Sequence, residues 1–306
     1  MQGRSLKSTF ATHFPSLSRA LDINQNVYMF TQDVPLGVMP IGGRTQEDKH
    51  FSVTLEGDNS ACERALRLLV EIGRHDRRDP KKIVCAAVHE IAQNLSWSGC
   101  AVFEIVKDDA GDPHMFAFTS NRLFRIASYF LQIIPRGDWD FWKKKFVLVP
   151  ANRIWCVVIP PELGGKTGFK GVLRRLRRAN YLGPKFWRKD LELGIQSKTF
   201  NFESHLRSNE VYVGRVTKIW GWGRRGSSQE RSTAFFSFYR TLRFKWAQAV
   251  LRRHIVSELN RLFARLGMEC SLRVTGLPTE EDILQINREL VEGRTSFGLA
   301  LDRASF

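Results

Sequence analysis

The sequence has no long apolar run. Nothing in it approaches the roughly 18 consecutive apolar residues of a membrane-spanning helix, and the opening MQGRSLKSTF lacks the apolar centre of a signal peptide. Neither a membrane span nor secretion by a standard signal is expected. Cysteine is scarce: Cys62, Cys85, Cys100, Cys156 and Cys270 are odd in number, widely separated and without a CxxC pair. That excludes a zinc ribbon and leaves reduced, buried, structural thiols as the expectation. The histidines form no HxH or HxxxH pair, and His89-Glu90 lacks the second histidine of a zincin. No GxSxG elbow is present. Gly165-Lys166-Thr167 has Pro160 where a P-loop needs its first glycine, so a turn leading into a helix is the better reading. Asp108, Asp109, Asp138 and Asp140 sit in turn sequences, where aspartate belongs for backbone reasons. No metal, cofactor or catalytic chemistry is expected.

Acid is the charge in short supply. Forty-seven Lys and Arg face 31 Asp and Glu, a net +16. Such an excess favours a polyanionic partner, nucleic acid first and an anionic membrane surface second; the other reading is a basic subunit that meets acidic neighbours in an assembly. A content of 43% hydrophobic and 11% aromatic residues excludes a disordered chain. At 306 residues a full core is available, and two sub-domains are expected.

The most pronounced pattern is residues 227–267. Ser227 and Glu230 have capping-box spacing. Apolar residues then recur near the helical period at Phe235, Phe238, Tyr239, Leu242, Trp246, Val250, Leu259, Leu262, Phe263 and Leu266. No proline intervenes and Gly267 is a natural stop, so one helix of roughly 38 residues is expected, against about 11–12 for the usual globular helix.

The rest of the chain divides around that helix. Residues 1–59 are weakly periodic and read as an arm with little regular structure. Residues 60–162 hold a helical pair, the second opened by Asp79-Pro80 as N-cap and first-turn proline. Short strands follow as CAVFEIV, HMFAFT, RLFRIA, YFLQIIP, KKFVLVP and RIWCVVIP, which make 100–160 a small antiparallel sheet domain. Residues 163–226 comprise a glycine turn, a basic helix, and an irregular segment with one strand-like run, VYVGRVTKIW. After the long helix come a strand, CSLRVTGL, and a helix with Glu280, Glu281 and Asp282 in its first turn, as the helix dipole prefers. The fold class is α+β.

Two stretches carry the candidate contacts. The run Lys170, Arg174, Arg175, Arg177, Arg178, Lys185, Arg188 and Lys189 is the densest in charge. On a helix Arg174 and Arg178 share a face, while Val172, Leu173 and Leu176 occupy another. Phosphate contact and a solvated face are its two readings. The loop Trp220-Gly221-Trp222-Gly223-Arg224-Arg225 combines glycines, indoles and guanidiniums, a composition that contacts nucleic acid by stacking and charge. The alternative is a plain loop whose tryptophans pack inward.

In order, these pieces resemble the phage portal proteins, the head-tail connectors of tailed phages. SWSGCAVFEIVKDDAGDP is similar to their small-residue turn, strand and hairpin. VPANRIWCVVIPPELGGKTGFKGVLRRL resembles their strand, glycine turn and helix, and GWGRRGSSQERSTAFFSFYRTLRFKWAQAVLRRHIVSELNRLFARLG their loop and long helix. CSLRVTGLPTEEDILQINRELVEGRTSF is similar to their strand and acidic-start helix. The resemblance covers residues 60–306 as a pattern of elements.

It implies a non-enzymatic, ring-forming subunit, about a dozen copies of which sit at a capsid vertex and conduct double-stranded DNA driven by a terminase motor. Capsid and neck proteins would be further partners, the virion its location, and the host cytoplasm its place of assembly. Residues 60–162 would be wing-like, residues 163–194 a helix near the stem, residues 195–210 a reduced clip, and residues 220–228 the channel loop. Arg224 and Arg225 would approach DNA most closely, with Trp220, Trp222, Arg174, Arg175, Arg178, Lys185 and Arg188 as the remaining contacts, holding phosphates weakly without reading bases. The end of the chain soon after Thr295-Ser296 would leave the crown missing or minimal. The alternative is a basic nucleic-acid-binding protein acting as monomer or dimer. A nuclease with scattered carboxylates is the further contrast, and it would require metal-dependent turnover.

Overall fold

The computed structural model describes residues 8–11, 25–40, 51–74, 79–118, 122–179, 202–223 and 234–304. They form a mixed α+β fold of helices and small antiparallel sheets. Helix α1 (Gln25–Leu36) and strand β1 (Ser52–Gly57) precede helices α2 (Asn59–Gly73) and α3 (Pro80–Ser98). Strands β2 (Cys100–Lys107), β3 (Pro113–Ala117), β4 (Leu123–Ile126) and β5 (Tyr129–Ile133) follow, then the one-turn helix α4 (Trp139–Trp142) and strands β6 (Phe146–Pro150) and β7 (Ile154–Val158). Helices α5 (Gly165–Ala179), α6 (Phe202–Val216) and α7 (Ala234–Arg265) come next, then strand β8 (Cys270–Thr275) and helices α8 (Glu280–Val291) and α9 (Phe297–Ala304). The chain divides into two compact units, one of Met1–Asp22, Val34–Pro160 and Leu251–Leu277, the other of Ile23–Asp33, Pro161–Val250 and Pro278–Phe306.

In the first unit the helical pair begins with side-chain caps. Asp58 accepts from the amides of Ser60 and Ala61 at 3.1 and 3.2 Å, and Asp79 accepts from Lys81 N at 2.9 Å with Pro80 in the first turn. Each cap satisfies amides that the helix itself leaves orphaned. Ala65, Leu68, Leu69 and Ile72 of α2, and Val84, Ala87, Val88 and Ile91 of α3, are buried at helical spacing. The pair packs on a three-stranded sheet of order β3-β2-β7, with α3 against β2 and α2 against β3. Buried between its neighbours, β2 is apolar at almost every position rather than alternating.

A second three-stranded sheet, β4-β5-β6, is antiparallel throughout. Leu123, Phe130, Val147 and Val149 of its inner face join a core with Phe10, Val102, Phe118 and Ile154. Residues 8–11 are tied into this core. Ser8 Oγ and Thr9 N donate to the buried Glu104 carboxylate, both at 2.8 Å, and the buried Gln132 amide accepts from Ala11 N at 2.8 Å and donates to Ala11 O at 2.9 Å. Phe10 stacks on Phe118 with ring centroids 4.0 Å apart. A two-stranded ladder joins β1 to β8, from Ser52 opposite Thr275 to Gly57 opposite Cys270.

Helix α7 contributes to both cores. Leu251, Ile255, Leu259, Leu262 and Phe263 are buried in the first unit. In the second, Leu242, Trp246 and Ala249 pack with Ile283, Ile286 and Leu290 of α8 and with Ala300 and Ala304 of α9, and Phe238 stacks on Phe297 at 4.6 Å. The helix ends in a Schellman motif: Gly267 N donates to Ala264 O, Met268 N donates to Phe263 O, and Gly267 has φ +69°. Helix α8 opens with a reciprocal capping box between Thr279 and Asp282.

The structure differs from the sequence reading at four places. The N-terminal arm carries helix α1 and strand β1, whose ladder partner lies more than 200 residues away and leaves no local hairpin signal. The single sheet expected over residues 100–160 is two sheets, with Glu104 and Gln132 as buried polar anchors. VYVGRV is helical: Val213 and Val216 are buried while Val211 is exposed, a three-residue spacing and not a strand alternation. Helix α5 begins at Gly165, inside the segment read as a glycine turn, and carries its apolar side from Phe169 onward. Of the expected long helix 32 residues are described, about 48 Å at 1.5 Å per residue, and the Ser227/Glu230 cap lies outside the described residues.

One ionic contact makes the first unit sensitive to pH. His114 on β3 has Nδ1 2.5 Å from Glu71 Oε1 on α2 and Nε2 3.5 Å from Asp108 Oδ2, while Glu71 Oε2 accepts from Met115 N at 2.6 Å. Partial burial alone would lower the imidazole pKa, but the hydrogen bond and charge of Glu71, then those of Asp108, outweigh it and raise the value. A raised folded-state pKa adds stability that is complete below the ordinary histidine value near 6.5 and is lost as pH rises through the folded value. Thermal unfolding measured from about pH 6 to about pH 9 should show Tm falling across that window. His114→Gln should flatten the profile; a parallel profile would show that the contact contributes nothing.

Candidate nucleic-acid interface

Helix α5 of the second unit separates its residues cleanly by chemistry. Phe169, Val172, Leu173, Leu176 and Ala179 are buried; Lys170, Arg174, Arg175, Arg177 and Arg178 are exposed. The helix contains no acidic residue. Lys170, Arg174 and Arg178 follow one another at four-residue steps, which places them along one side. None of these three makes an ion pair with an acid among the described residues. Arg175 folds back, donating from Nε to Gly171 O at 3.3 Å. Arg177 and Arg178 also stand in the last turn, where a cation meets the negative end of the helix dipole. The apolar side anchors the helix through Phe169, whose ring lies 5.3 Å from Trp220 and 5.8 Å from Phe30.

The turn after α6 is built inward. Trp220 and Trp222 are 0% and 1% exposed, both edge-on to Phe30 at 5.7 and 5.3 Å. Trp222 Nε1 donates to Asp33 Oδ2 at 2.8 Å, and the Thr217 hydroxyl lies 3.0 Å from Trp222 O. These indoles are core, so base stacking on them is replaced by the inward-packing alternative. Two cations of α7 bind the same turn: the Arg240 guanidinium donates to Trp222 O, and Arg243 Nε donates to Ile219 O at 3.0 Å while its guanidinium covers the Trp246 ring at 3.9 Å. Burial lowers the pKa of both arginines, Arg240 among them by burial alone. Gly221 lets the turn approach the helix: at φ +69°, an added Cβ would stand 2.6 Å from Arg243 Cβ and 2.7 Å from Arg240 O.

Of the residues named from sequence, Arg174, Arg175 and Arg178 are therefore together on an open face, whereas Trp220 and Trp222 are buried away from solvent. Arg224, Arg225, Lys185 and Arg188 lie outside the described residues.

A second surface was not anticipated. The sheet β4-β5-β6 of the first unit is apolar on both faces. Its register puts Phe124, Leu131 and Leu148 side by side, then Ile126, Tyr129 and Pro150, then Ile133 and Phe146, all on the face opposite the core. Six of these, Phe124, Ile126, Tyr129, Ile133, Phe146 and Leu148, are 39–60% exposed. At the roughly 150–250 Å² that a large side chain covers, they present on the order of 600 Å² of apolar surface. An antiparallel sheet packed on a core by one face ordinarily alternates apolar and polar. The signal for this surface was present in YFLQI and FVLVP, which are apolar at nearly every position instead of every second one.

The described residues contain no group of three or more His, Cys, Asp or Glu side chains arranged to hold a metal. No described helix is long and apolar enough to cross a membrane. The chain matches no protein-family model and no curated protein.

Two outcomes test this geometry. Gly221→Ala should destabilise the protein by more than about 1 kcal/mol in urea unfolding, because alanine at positive φ is strained and its Cβ meets backbone. Arg174→Glu with Arg178→Glu should weaken duplex DNA binding in fluorescence anisotropy and reduce the slope of log K against log salt by about 2, at ~0.9 for each lost phosphate contact. An unchanged slope, or no binding by the wild-type chain, would rule out α5 as a phosphate-contacting face.

Proposed function

We propose that the chain is a structural subunit of portal type: it assembles into a ring through which double-stranded DNA passes, without catalysing a reaction. The observation that carries this reading is the exposed apolar face of the β4-β5-β6 sheet. Isolated exposed apolar residues are ordinary, but a contiguous face of several hundred Å² marks a protein–protein contact. Its ~600 Å² approaches the ~800 Å² that each partner contributes to a standard interface. In a homo-oligomeric subunit the covering surface is supplied by a second copy.

The cationic side of α5 supports the second half of the proposal. Exposed arginines such as Arg174 and Arg178 hold phosphates by charge, without reading sequence, and contacts of that kind suit a conduit for any DNA. The order of elements, with a basic helix, a turn and then one long helix, supports the portal resemblance. On this reading the terminase motor and the capsid and neck proteins are the further partners, and the virion is the location. A basic nucleic-acid-binding protein working as a monomer or dimer is the second reading, favoured by the fact that the α5 face is open within a single chain.

Assembly separates the two. Light scattering and negative-stain images of the purified protein should show rings with a hole wide enough for duplex DNA. Phe146→Lys with Leu148→Glu on the exposed sheet face should shift the mass towards single subunits while leaving the circular-dichroism spectrum intact. A protein that stays monomeric or dimeric at high concentration, yet binds DNA with steep salt dependence, would favour the second reading.

A further inference from the structure

Three of the five cysteines are only half-buried, and two of these are in contact. Cys62 Sγ on α2 lies 3.5 Å from Cys270 Sγ, the first residue of β8, across 208 positions of sequence. Both are held by backbone contacts to one short segment. Cys62 N donates to Asp58 O at 2.9 Å in the first turn of α2, and Asp58 N donates to Glu269 O at 3.2 Å. Cys270 stands opposite Gly57 at the end of the β1–β8 ladder. The two Cα positions are therefore set by residues 57 and 58 rather than by the cysteines themselves. A disulfide needs its sulfurs at about 2.05 Å. The sulfurs would have to close a further ~1.5 Å. Cys85 and Cys100 are buried.

We propose that Cys62 and Cys270 form a reversible disulfide, a redox modification site that fastens β8 to α2. The inference stands apart from the portal reading, since it needs only the fold of the first unit. The oxidant is a small-molecule disulfide such as glutathione disulfide. The Cys62 thiolate attacks one sulfur of glutathione disulfide, forming a mixed disulfide and releasing one glutathione. Cys270 then gives up its proton and attacks Cys62 Sγ, forming the Cys62–Cys270 bond and releasing the second glutathione. Two thiols are oxidised, one small disulfide is reduced to two thiols, and both thiol protons end on glutathione.

The order of attack follows from the environment. Burial first, then the hydrogen bond and charge of Cys62, push the Cys270 thiol up to about 12. Cys270 is therefore the protonated, resolving partner. Once Cys62 is capped as a mixed disulfide its charge is gone, and one cause of that elevation goes with it. In a reducing compartment the pair stays open, and in an oxidising medium it closes. Closure would cross-link positions far apart in sequence, which constrains the unfolded chain and raises Tm.

The test is oxidation of the intact protein with glutathione disulfide, followed by thiol titration in denaturant and peptide mapping under non-reducing conditions. Titratable thiols should fall from five to three, intact mass should fall by about 2 Da as two hydrogens leave, and one cross-linked peptide should contain residues 62 and 270. Dithiothreitol should restore all five thiols. Tm should be higher in the oxidised form, and Cys62→Ser and Cys270→Ser should each abolish that rise, while Cys156→Ser retains it. A glutathione adduct that persists on Cys62, no reaction at all, or a cross-link between other cysteines would overturn the proposal. The mapping uses the wild-type chain, so it decides the matter even where a serine variant fails to fold.

Discussion

Two strands alone are marginal in water and a larger sheet needs a packed apolar face, so how each sheet is covered governs the first unit. The β3-β2-β7 sheet is covered by α2 and α3, so β2 reads as a nearly continuous apolar strand. The β1–β8 ladder, only two strands, lies against α2 and α3 as well. The β4-β5-β6 sheet is covered on one face alone, by the core around Phe10, Phe118 and Val102, and its other face is equally apolar. By the same requirement the third sheet stands out, because its outer apolar side chains are exposed among the described residues. The proposal of assembly rests on that exposed face.

Net charge has to be divided before it is interpreted. Part of the +16 is internal. Arg252 is nearly buried, donates to Val38 O at 3.3 Å, and is pushed down to about 10 by burial while remaining charged at neutral pH. Arg265 donates to Ile154 O at 2.9 Å and to Asn152 O, and Arg240 and Arg243 hold the turn of Trp220 and Trp222. These guanidiniums satisfy backbone carbonyls, most of them in turns and loops. Lys170, Arg174 and Arg178 of α5 differ because they stand exposed on a helix that satisfies its own backbone.

Local structure was largely legible. Asp79-Pro80 announced α3, Gly267 announced the end of α7, the acidic first turn announced α8, and the pattern from Gly171 announced the body of α5 though not its start at Gly165, because caps and periodicity act within a few residues. The run VYVGRV misled: its β-branched residues favour a strand in isolation, and only burial of Val213 and Val216 on one helical side makes it helix. For the candidate contacts, sequence identified the arginines of α5 but not the direction of the indoles, since a Trp-Gly-Trp segment has the same composition whether it faces solvent or Phe30.

By itself, then, the sequence determined the starts of α3 and α8 and the end of α7, which strands exist between residues 100 and 158, and that positive charge is concentrated on α5, all through interactions between residues close along the chain. Only the tertiary structure decided that β1 pairs with β8, that Cys62 meets Cys270, that Trp220 and Trp222 are core, and that one sheet keeps a bare apolar face. These depend on contacts between residues far apart in the chain, whose free energy exists only once the intervening segments have folded.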